Sequence, residues 1–79
     1  MPVVLRIGAL RFFFFSNEGD PREPIHIHVR RGSDQAEFWL SPVALVDSYG
    51  FDARELGEIA RLVVQYETRL VETWHEYFG

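Results

Sequence analysis

Two hydrophobic patterns divide the chain near residue 50. Before it, short apolar runs alternate with polar residues and break at Gly, Pro, Asn and Asp; after it, apolar residues recur every three to four positions. Val3–Ile7 predicts a strand with Val3, Leu5 and Ile7 on one face, and Gly8-Ala9 allows a turn or bulge. Leu10–Ser16 contains Phe12 to Phe15 in succession, apolar on both faces, which predicts a central strand covered on both sides. Residues 17–24 carry every loop signal. Ile25–Arg30 alternates strictly: Ile25, Ile27 and Val29 face one way, His26, His28 and Arg30 the other. Arg31–Asp34 is a tight turn. Gln35–Leu40 alternates again, with Ala36, Phe38 and Leu40 opposite Gln35, Glu37 and Trp39. Val43–Asp47 predicts a short edge strand, with Pro42 kept to its start.

The helix start is clear. Asp52 at the N-cap and Glu55 three residues on have capping-box spacing, and Phe51 and Leu56 stand at staple positions. Leu56, Ile59, Ala60, Val63, Leu70, Trp74 and Phe78 form the apolar stripe, with Tyr66 or Glu67 bridging its gap. Neither Pro nor Gly interrupts residues 58–78, so the simplest reading is one long helix, with room for a bend near Glu67-Thr68. The expected fold is α+β: one domain over residues 1–79, an antiparallel sheet of four or five strands, and a C-terminal helix packed on one face.

Composition narrows the classes. At 47% apolar and 15% aromatic residues, the chain can offset its ordering entropy, which excludes a disordered tail. No apolar run approaches the ~20 residues that span a bilayer. The absence of cysteine excludes disulfides and thiolate metal sites and, with no export signal at the N-terminus, makes the cytoplasm the expected location. Below roughly 70–80 residues a lone core supplies only about 3–5 kcal/mol. A 79-residue chain with a two-faced Phe strand is therefore expected to form a homo-oligomer, most simply a homodimer, through the open face or edge of the sheet.

The net charge of −4 argues against a nucleic-acid partner. The charge is unevenly spread: residues 1–33 carry +2 and residues 34–79 carry −6, and every basic residue is Arg.

The feature with chemical potential is His26-x-His28. Period-two geometry puts both imidazoles on one strand face, about 6–7 Å apart. Arg30 continues the row, Glu37 and Trp39 return on the hairpin partner, and Arg6 on the first strand shares the face. Zinc uses His-x-His on strands but needs a third ligand. Asn17, Asp20, Glu37 and His75 are the candidates, none with diagnostic spacing, so neither a metal nor a cofactor is assigned. Two His beside Arg also suit acid–base cleavage of a phosphodiester, which makes His26 and His28 the catalytic candidates if the protein is an enzyme. The plainest reading is structural or partner-binding: the imidazoles fix the loop by hydrogen bonds near Asn17 and Pro24, and Arg6, Asn17, Arg30, Glu37 and Trp39 serve binding. On the functional reading, replacing both His by Ala is expected to remove activity while the fold survives.

Phe-Ser-Asn-Glu, Pro24 to Val29, Phe38 to Val43, Gly50-Phe51 and a helix ending Trp74 to Phe78 together resemble the bacterial family called domain of unknown function 4160. The likeness covers essentially the whole chain, and its hallmark is a Pro-x-His-x-His-Val strand after an Asn-bearing loop, matched at Asn17, Pro24, His26 and His28. Members are often encoded beside a second small protein. The resemblance therefore implies a protein-binding component of a two-gene module of toxin–antitoxin type, whose partner is encoded nearby. The alternative is a small His-dependent ribonuclease.

Overall fold

A computed structural model describes residues 3–15 and 24–79. Five strands follow one another in space as in sequence: β1 (Val3–Ile7), β2 (Leu10–Phe13), β3 (His26–Arg31), β4 (Asp34–Trp39) and β5 (Ala44–Tyr49). Every neighbouring pair is antiparallel. Two helices, α1 (Ala53–Gln65) and α2 (Glu67–Phe78), complete the α+β architecture. None of the described helices is long and apolar enough to cross a membrane.

The apolar halves of the alternating strands meet the helices. Phe12, Phe14, Ile27, Val29, Ala36, Phe38 and Leu40 pack with Phe51, Ile59, Val63, Leu70 and Trp74 in one buried cluster. A bulge between Val3 and Leu5 changes the first strand's register. Val3 now stands opposite Phe13 and is exposed, while Val4 and Leu5 both pack against the core. Val3 thus leaves the face that simple alternation gives it with Leu5 and Ile7, because a bulge places an extra residue between ladder positions.

The four-Phe run divides differently from the two-faced strand expected. The β2 ladder ends at Phe13. Phe14 is fully buried against Trp74 and Phe78, with ring centroids 5.2 and 5.9 Å away. Phe13, on the opposite face, is also buried, under cover from its own chain: Phe15 edge-on at 5.5 Å, the His28 ring stacked at 5.5 Å, and the Arg30 guanidinium 5.7 Å above the ring. Burying Phe13 therefore requires no second chain.

The single long helix of the sequence reading is two helices. Tyr66 leaves the helical region at φ −103° and ψ 12°, and its N–H is shared between the Leu62 and Val64 carbonyls. The Tyr66 carbonyl then accepts from the Leu70 N–H at 2.9 Å. A continuous helix of about 26 residues would run roughly 39 Å, and the molecule with this break has a greatest extent of 34 Å. Val63 and Leu70 are buried on either side of the break.

At the head of α1 the capping box forms as read: the Glu55 N–H donates to the Asp52 carboxylate at 2.7 Å, and the Asp52 N–H donates to Glu55 at 3.1 Å. Arg31 joins Asp34 at 3.0 Å to Glu55 at 2.5 Å, tying the β3–β4 turn to the helix. The Asp52 N–H, and after it Arg31, hold the Glu55 carboxyl below its ordinary value.

Gly50 makes the turn from β5 to α1 with φ +91°, and a Cβ there would run into the Asp34 carboxylate. Gly50→Ala combines a left-handed backbone with that collision and should cost about 1–3 kcal/mol. A urea midpoint equal to that of the parent chain would show that the turn relaxes freely.

Candidate functional site

Ile27 and Val29 lie in the core, so alternation along β3 turns His26, His28 and Arg30 to the other face of the sheet. The ladder registers arrange that face in rows. One row runs Arg6, Arg11, Arg30, Gln35, Tyr49 across all five strands. The next, about 6.5–7 Å along the strands, runs Val3, Phe13, His28, Glu37, Asp47. A third pairs His26 with Trp39.

The two imidazoles share a side but not an environment. His26 is 1% exposed. Its ring lies 5.2 Å from Trp74 of α2, 5.9 Å from Trp39 and 5.2 Å from His28. Its Nδ1 sits 2.7 Å from the Pro24 carbonyl. A carbonyl only accepts, so Nδ1 carries the proton and Nε2 points elsewhere, 3.7 Å from a Glu37 carboxylate oxygen. The expected tie between an imidazole and the backbone near Pro24 is thus present; Asn17, the other expected anchor, lies outside the described residues. His28 is half-buried between Phe13 and Phe15, the latter edge-on at 4.5 Å. It is the imidazole that lines a groove of about 200 Å³, together with Phe13, Arg30, Glu37, Asp47 and Tyr49.

Of the residues singled out in the sequence, Arg6, Arg30, Glu37 and Trp39 do share the face with the His pair. Of the candidate third ligands, Glu37 alone joins the pair among the described residues: the ligand atoms of His26, His28 and Glu37 all lie within 4.8 Å of one another. His75 is exposed on α2 and outside that cluster, and Asp20 lies outside the described residues.

Arg11, Asp47 and Tyr49 belong to the face without having been marked in the sequence. Arg11 was legible, since it has the parity of Phe13 beside a core Phe12. Asp47 and Tyr49 were not, because a register shift between Glu37 and Phe38 resets β5 against β4.

The family model described as domain of unknown function (DUF4160) matches residues 9–75. The chain belongs to this family. No curated protein and no solved structure matches it. The DUF4160 match takes in β2 to β5, all of α1 and most of α2, and so includes the His pair, Glu37 and two of the three arginines of the basic row.

Proposed function

We propose that this chain is a protein-binding component of a two-gene module of toxin–antitoxin type, acting in the cytoplasm, and that it grips an acidic segment of its partner with the open sheet face. One observation carries the reading. Arg6, Arg11 and Arg30 stand directly opposite one another on three adjacent strands. Among the described residues none of the three has a carboxylate within ion-pairing distance. Like charges paired across strands are unfavourable, so the ladder is a cost to the isolated chain that a carboxylate-bearing partner removes.

The neighbouring row favours a polypeptide over a polyanion. Glu37 and Asp47 lie one step from the arginines, where they would repel a phosphodiester backbone but would meet the basic residues of a mixed-charge protein segment. Exposed Phe15, Trp39 and Tyr49 add aromatic groups of the kind that anchor protein interfaces. The ribonuclease alternative draws less from the geometry, since the burial of His26 leaves His28 as the imidazole within reach of a substrate.

The test is co-expression with the product of the adjacent reading frame. A stable complex is expected, and Arg6→Glu combined with Arg11→Glu should weaken it at least about 100-fold through like-charge contact. Arg30 is spared because it covers Phe13. Undiminished affinity in that variant would overturn the reading. So would tight binding of a single-stranded RNA lost in the same variant, or RNA cleavage lost in His28→Ala. A homodimer of the chain alone, abolished by the two substitutions, would assign the face to a second copy instead.

A further inference from the structure

The geometry points to a divalent transition-metal site formed by His26, His28 and Glu37, with zinc among the ions that two imidazoles and a carboxylate hold. It lies one row from the arginine ladder and does not depend on what the ladder binds.

Three observations converge. The first is proximity. A tetrahedral centre with bonds of about 2.0–2.1 Å keeps its donor atoms about 3.4 Å apart. His26 Nε2 and a Glu37 oxygen are 3.7 Å apart, and the His28 ligand atom completes a set within 4.8 Å. Small side-chain rotations close that set around one ion.

The second is the outer contact. His26 gives its Nδ1 proton to the Pro24 carbonyl at 2.7 Å. Ligating histidines are held in this way, with the other ring nitrogen bonded to a carbonyl or carboxylate, which fixes the tautomer and aims Nε2 at the metal. The Nε2 of that ring lies 3.7 Å from a Glu37 carboxylate oxygen and is the nitrogen through which His26 would reach a shared ion.

The third is enclosure on one side and access on the other. His26 is 1% exposed and backed by the Trp74 ring. His28 and Glu37 also line the groove, with Asp47 opposite Glu37 on the next strand. Three protein ligands with the remaining position open to a groove is the arrangement of an accessible metal centre rather than a closed structural one.

The experiment uses the full chain, free of any affinity tag and stripped with a chelator, titrated with Zn²⁺ alone. One ion per chain should bind, the ring nitrogen resonances of both His26 and His28 should move, and Co²⁺ in the same site should give the visible absorption of a four-coordinate complex. His28→Ala and Glu37→Gln should each weaken Zn²⁺ binding at least about tenfold. Resonance changes at His75 alone, or none at either strand imidazole, would overturn the site. Unchanged affinity in both variants would do the same. The resonance measurement on the parent chain stands even if a variant fails to fold.

Discussion

Trp74→Ala should leave the chain unfolded or only marginally folded. Trp74 is fully buried and joins three parts of the molecule. Its ring meets Phe14 at 5.2 Å beyond the end of β2, His26 at 5.2 Å at the start of β3, and Phe78 at 4.4 Å within α2. Truncating a buried Trp costs about 3–5 kcal/mol. A lone core at this chain length supplies about the same amount. Trp74→Phe should be milder, because it keeps an aromatic ring in the cluster. It also removes an indole N–H that is buried without a hydrogen-bond partner among the described residues, a group that itself disfavours the folded state. Tyr77→Ala, at an exposed position in the same helix, should cost less than about 1 kcal/mol. Urea melts followed by circular dichroism decide the matter: a Trp74→Ala midpoint equal to that of Tyr77→Ala would mean that α2 is not packed on the sheet.

Strand alternation was the strongest signal in the sequence, and it placed His26, His28, Arg30, Glu37 and Trp39 on one face because period two admits no other side once Ile27 and Val29 are buried. What alternation lacked was anything about cover. The ring of His26 is enclosed by Trp74, a residue of the last helix, and no local pattern in β3 reports that contact. The helix break was hidden for a related reason. Val63 and Leu70 are seven residues apart, close to two full helical turns, so the apolar stripe passes through Tyr66 without changing phase. The break is a departure of the Tyr66 backbone alone, which periodicity does not register. The bulge at Val3–Leu5 and the register shift against β5 also escape it: each depends on how neighbouring strands meet. The capping box was legible in full because Asp52 and Glu55 satisfy one another locally.

The difference in cover around the two imidazoles changes what their mutation should show. His26→Ala should cost about 2–4 kcal/mol, because it removes a buried ring and strips the Pro24 carbonyl of its donor. His28→Ala should cost about 0.5–1.5 kcal/mol, the worth of its ring contacts with Phe13 and Phe15. Replacing both together, which alternation alone would treat as a clean functional deletion, should therefore destabilise the fold largely through His26. The informative functional change is His28→Ala alone, in a chain that still melts cooperatively. If both single variants lose the same small amount of stability, the His26 ring is not part of the packed interior and the Trp74 contact has no energetic weight. If His26→Ala alone is severe, the strand carries a division of labour in two residues' spacing. His26 joins the sheet to α2, and His28 presents the same chemistry to the groove.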